Sequence, residues 1–98
     1  MDAVTITRHG GGAAGEYHAH VPGSSAIGRL TWTARGTARS ADHTLVPSEI
    51  GGRGVAARLV EALVADAREQ NFTILPRCSY VEAAFQRHPE WAELREQG

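Results

Sequence analysis

The chain has 98 residues, 42% hydrophobic and 21% charged, with a formal net charge of -1. The charges are scattered, so no basic block argues for nucleic acid and no acidic tail is present, and the ten cations are all arginine, which excludes any chemistry that needs a lysine. One cysteine, Cys78, excludes an intrachain disulfide. The size fits a single domain over residues 1–98, with one modest core. No apolar run approaches the roughly 20 residues of a membrane span. Met1-Asp2-Ala3-Val4-Thr5-Ile6 lacks the basic and apolar regions of a secretion signal. A cytoplasmic setting is expected.

Ala3 to Arg8 reads as a short strand, with Val4 and Ile6 on one face and Thr5 and Thr7 on the other. His9 to Gly15 reads as a flexible glycine- and alanine-rich loop. Glu16 to Val21 alternates: Glu16, His18 and His20 face one way, Tyr17, Ala19 and Val21 the other. Two imidazoles on one strand face can hold a metal. A site needs at least three protein ligands, and no third is evident nearby. A solvated strand face is the expectation, and no metal is assigned.

Pro22 to Ser25 is a turn by composition. Ala26 to Ala34 is the third strand, with Ala26, Gly28, Leu30 and Trp32 on one face. Arg35 to Arg39 turns the chain again. Ala41 to Val46 is the fourth strand, with His43 and Leu45 on one face and Thr44 and Val46 on the other. Short strands joined by short turns predict an antiparallel meander.

A helix follows. Ala56, Leu59, Val60, Leu63, Val64 and Ala67 recur at steps of three and four, forming an apolar stripe. Arg58, Glu61, Asp66, Arg68 and Glu69 fall mostly on the other side. Asn71 is a left-handed cap. Thr73 to Leu75 is a buried strand ended by Pro76. Strand, helix, strand at this spacing predicts a right-handed crossover, with the last strand parallel to the fourth. Ser79 to Arg87 is a second helix burying Val81, Ala84 and Phe85. Pro89, Trp91 and Leu94 form a short helical tail that packs back on the core.

Between the fourth strand and the first helix lies Glu49-Ile50-Gly51-Gly52-Arg53-Gly54-Val55-Ala56. Glycines permit a sharp turn and close approach of a ligand. A glycine turn that runs into an open helix N-terminus suits an anion. The nucleotide-hydrolase phosphate loop is excluded, since it needs a lysine. Gly52-x-Gly54-x-x-Ala57 fits the dinucleotide fingerprint. Its context is wrong, because the next strand leads to Pro76-Arg77-Cys78 rather than to an acidic residue. A merely structural corner is a further reading.

The same segment resembles the pyrophosphate-binding motif of the GNAT superfamily of N-acetyltransferases, with Glu49 standing where Gln or Arg is usual. The resemblance extends over His43-Thr44-x-Val46-Pro47, Gly52-x-Gly54-x-Ala56, Pro76-x-Cys78-Ser79-Tyr80-Val81 and His88-Pro89-x-Trp91. Together these motifs are similar to a group of very small, stand-alone GNAT-like proteins. The resemblance implies an α+β, reduced GNAT-like fold: an antiparallel meander plus one parallel crossover strand, with the main helix packed on the sheet. It implies acetyl-CoA or coenzyme A as cofactor and acetyl transfer to an unidentified amine. The backbone at Leu45 and Val46 is expected to pair with the pantetheine arm, and Gly51, Gly52, Arg53, Gly54, Val55 and Ala56 to hold the pyrophosphate.

Acetyl transfer needs a held cofactor, a stabilised oxyanion and a deprotonated amine. Cys78, beside Arg77 at the start of a helix, suits a thiolate at the thioester; a small buried hydrophobe is its plain reading. His43 is a candidate base, since imidazole exchanges protons near neutrality; fixing the sheet is its other reading. Tyr80 is a candidate donor to the leaving thiolate, or a packing residue. Arg53 adds charge near the phosphates or lies exposed. Larger relatives build an acceptor pocket from helices between their first two strands and from further strands at the end. Here only His9 to Gly15 joins the first two strands and nothing follows Gly98, which predicts little acceptor site. Partners are then acetyl-CoA and an amine, without nucleic acid or membrane, in a monomer or homodimer. A coenzyme A-binding module without chemistry and a small interaction protein stay open as alternatives.

Overall fold

A computed structural model describes residues 4–96. Five strands form one sheet in the order β1 (Thr5–Gly11), β2 (Ala14–His20), β3 (Ile27–Arg35), β4 (Ala38–Leu45) and β5 (Thr73–Pro76). The first three pairings are antiparallel and β4 with β5 is parallel. Helix α1 (Val55–Gln70) makes the crossover, and α2 (Ser79–Arg87) follows β5. A 3-10 segment, Pro89–Leu94, buries Trp91 and Leu94 against the core as expected. No described helix is long and apolar enough to cross a membrane.

Tyr17, Ala19 and Leu30, nearly inaccessible on one sheet face, pack against the stripe of Val55, Leu59, Val60, Leu63, Val64 and Ala67. That face accounts for the predicted alternation in β2 and β3. Helix α1 ends at Asn71 in the left-handed conformation (φ 60°, ψ 50°), its N–H bonded to the Ala67 carbonyl. Asp66 corrects the sequence reading. It lies on the buried side of α1, where Arg8 Nε (2.8 Å), Arg8 Nη2 (3.0 Å) and the Tyr17 hydroxyl (2.8 Å) donate to its carboxylate.

The region His9 to Gly15 is a second correction. Pairing continues from Thr5 opposite His20 to Gly11 opposite Ala14, so Gly12 and Ala13 alone make the turn. Glycine is a poor strand former on propensity. Here a missing side chain is what the strand needs: a Cβ on Gly15 would stand 2.6 Å from the Trp32 ring. Ala3, at the start of the predicted first strand, lies outside the described residues.

The fourth strand begins three residues earlier than expected, at Ala38, because the turn is only Gly36 and Thr37. A bulge interrupts it. Thr31 faces His43 and Trp32 faces Ala41, which leaves Asp42 without a partner. Ser40 and Thr33 donate their hydroxyls to its carboxylate at 2.6 and 3.0 Å. Strands β4 and β5 pair over Ala38–Ala41 and Thr73–Pro76 and then part. Pro76 has no N–H to give, and the Arg77 N–H turns back to the Leu75 carbonyl. The last tie is from the Cys78 N–H to the Ala41 carbonyl, at 2.9 Å. Beyond it α2 carries the chain away, while β4 runs on to Leu45.

Candidate functional site

The fork between β4 and β5 faces the glycine corner. A 3-10 turn, Ser48–Ile50, absent from the sequence reading, joins β4 to the corner. Ile50 is fully buried and anchors it. Gly52 (φ 74°) and Gly54 (φ 70°) adopt left-handed backbone that a side chain would strain. Gly54 is the N-cap of α1. It offers no side-chain cap, and no acidic residue stands in the first turn. Among the described residues, nothing caps the first N–H groups of the helix, at the positive end of the dipole. Gly51 differs from its neighbours: its N–H is spent on the Ser48 carbonyl at 3.1 Å. The donors that remain begin at Gly52.

Val46, Gly51, Gly52, Gly54, Val55, Ala56, Ala57 and Tyr80 line a cleft of about 270 Å³. The expected cofactor residues other than Leu45 and Arg53 thus meet on its wall. Arg53 is exposed on the corner. Leu45 is 66% exposed at the end of β4, beside the cleft residue Val46.

Cys78 is the N-cap of α2. Its thiol donates to Thr44 Oγ1 at 3.4 Å, across the fork. Burial pushes this thiol up. The Thr44 hydroxyl and the N–H groups of Val81, Tyr80 and Thr44 outweigh that and hold it below the ordinary thiol range. Tyr80, half-buried two residues on, brings its ring onto the core and its side chain to the cleft. His43 does not join them. Thr44 turns toward Cys78, so by strand alternation His43 points to the other face of β4, beside Thr31. The three residues expected to act chemically are thereby divided, with Tyr80 on the cleft wall, Cys78 against Thr44 at the foot of the fork and His43 on the other face of β4. Thr44 escaped sequence reasoning as a partner of Cys78, although it sits inside a motif that pointed to the same place.

A family model described as GCN5-related N-acetyl-transferase matches residues 16–94. The fold is similar to the solution NMR structure of a Staphylococcus aureus protein described as GCN5-like and proposed to be an N-acetyltransferase. The two are 24% identical with a TM-score of 0.69, over 94% of this chain and 89% of that one. At that identity the likeness is one of fold.

Proposed function

Because the chain belongs to the GCN5-related N-acetyltransferase family, whose chemistry is acyl transfer, we propose that the cleft at Gly52–Ala57 takes acetyl-CoA and that the protein passes its acetyl group to an amine. One observation carries this reading: the uncapped N-terminus of α1 opens into the cleft beside the parted strands. A pyrophosphate fits there. Its charge meets uncapped N–H groups and the helix dipole, worth about 1 kcal/mol in such a place. A Cβ built on Gly52 or Gly54 would meet open space, so backbone conformation rather than crowding requires these glycines.

Acetyl-CoA supplies an acyl group activated as a thioester. The residues of this chain hold and position it. Gly52, Arg53, Gly54, Val55 and Ala56 offer donors and charge to the phosphates, while Gly51 gives close approach only. Leu45 and Val46 offer the backbone of β4 along the arm, on the side that β5 leaves open. Tyr80 is placed on the cleft wall to return a proton to a departing thiolate. Cys78 stands at the foot of the fork, its thiol held below the ordinary thiol range by the Thr44 hydroxyl and nearby N–H groups. His43, on the far face, is suited to meet an amine arriving from that side. That separation favours one second reading, a module that binds acyl-CoA with slow turnover.

Thermal unfolding with and without acetyl-CoA tests the cleft. Ligand at about a hundred times its Kd is expected to stabilise by about 2.7 kcal/mol. No shift at millimolar cofactor overturns the proposal. Thiol release with a panel of amines then separates catalysis from binding alone.

A further inference from the structure

The sequence alone offers two imidazoles for a metal, because its pattern puts His9 in a loop. The structure places His9 in β1, opposite Glu16 and diagonal to His18. His9, His18 and His20 come to share the sheet face turned away from α1. We infer that these three histidines form a site for a divalent transition ion of the zinc, nickel and copper(II) class.

The geometry begins at Thr7. Its Oγ1 lies 2.7 Å from His9 Nε2 and 2.8 Å from His20 Nε2. A hydroxyl has one proton to donate, so it satisfies at most one of these nitrogens as an acceptor. The other ring must present its own N–H. Two imidazole nitrogens from neighbouring strands thus aim at one point and lie no more than 5.5 Å apart, the span of the two bonds end to end. Both bind an ion at about 2.0–2.1 Å once the ion replaces the hydroxyl as their common partner.

His18 supplies the third ligand. Its ring stacks on His9, with centroids 3.9 Å apart and planes inclined by 27°. Its Nε2 is 2.7 Å from Glu16 Oε1. A carboxylate on one imidazole nitrogen fixes the tautomer and leaves the other, Nδ1, as the free ligand, the usual outer-sphere arrangement of metal-bound histidine. The ring of His20 is 6.4 Å from that of His18.

As the side chains stand, no three His, Cys, Asp or Glu groups among the described residues converge as a metal site. The site is completed by ring rotation. His9 is exposed, and His18 and His20 are half-buried. Nitrogen donors select against calcium and magnesium, which take oxygen. Arg29, directly across from His18, is the opposing charge, and the Glu16 carboxylate offsets it. The fourth position is left to water. This site lies on the opposite sheet face from the acyl cleft and does not depend on that reading.

Zinc titration of the untagged chain by calorimetry, with Co2+ absorption as a probe of tetrahedral nitrogen ligation, tests the inference. One ion per chain is expected. His9→Gln, His18→Gln and His20→Gln are each expected to weaken binding about tenfold or more, while Cys78→Ser binds zinc like the parent. Unchanged affinity in the His18→Gln/His20→Gln double variant overturns the inference, as does loss of binding in Cys78→Ser alone. A measurement on the unmodified protein guards against misfolded variants. Substoichiometric Ni2+ is expected to broaden the imidazole NMR signals of His9, His18 and His20 before those of His43 and His88. Equal broadening of all five overturns the inference.

Discussion

Cys78 shows how neighbours shift the acidity of a single side chain. Its sulfur is half-hidden, which alone disfavours a thiolate, yet the Thr44 hydroxyl and the N–H groups at the start of α2 reverse the balance. Iodoacetamide alkylation followed against pH is expected to show a midpoint below the ordinary thiol range. Thr44→Val is expected to raise that midpoint and slow alkylation at neutral pH about fivefold, the effect of one hydrogen bond of about 1 kcal/mol. An unmoved midpoint would assign the acidity to the backbone N–H groups of Val81, Tyr80 and Thr44 alone. The place of Cys78 at a strand end before a helix was legible from Pro76 and from the apolar spacing after it. Thr44 as its partner was not, because the two are 34 residues apart and nothing local encodes a bulge at Asp42.

Among the elements, α1 was the easiest to read, since its stripe repeats over four turns and Asn71 closes it. What fixes its start is harder to see. Gly28 on β3 lies under the first turn: an added Cβ would stand 2.9 Å from Val55 Cγ1 and 3.5 Å from Leu59 Cδ1. Gly28→Ala is therefore expected to push the helix N-terminus off the sheet and to destabilise by about 1–3 kcal/mol. Denaturant unfolding measures that cost. A reduced acetyl-CoA-induced thermal shift in the same variant would tie the packing to the cleft. The β1–β2 hairpin was the least legible element. Its run of Gly10, Gly11, Gly12 and Gly15 carries no alternation, and its register comes from Trp32 lying over Gly15 and from the Ala34 N–H reaching the Ala13 carbonyl.

At the scale of the molecule, a charged cluster ties the first hairpin to the main helix. Asp66 accepts from Arg8 and Tyr17, Arg39 donates to the Tyr17 hydroxyl at 3.1 Å, and Arg39 also lies over the Trp32 and Phe72 rings. Burial pushes the Asp66 carboxyl up, but the hydrogen bonds from Arg8 and Tyr17 outweigh that and hold it below its ordinary 3.8. A carboxyl lowered by folding stabilises the native state at neutral pH, and that contribution is lost as pH falls below about 4. Asp66→Asn is expected to cost about 1.5–3 kcal/mol at pH 7 and to flatten the loss of stability between pH 5 and pH 2, read from urea midpoints. Equal acid loss in both proteins would remove Asp66 from the account. Helical periodicity could not reveal this cluster, because a charged residue is read as outward until Arg8 and Tyr17 are seen to meet it. The strand order, the parallel last pair and the second helix were all legible, being set by spacing and by turns. The tail does something that spacing does not show: Ile74 bridges Arg95, and the Glu96 N–H reaches the Ile74 carbonyl at 2.8 Å. A sheet whose strands part exposes a row of hydrogen-bonding groups, and a second bare row on the outer side of β5 would be a template for end-to-end stacking into filaments. Arg95 and Glu96 lie along that outer rim like a hem, so part of it is already paired within the chain.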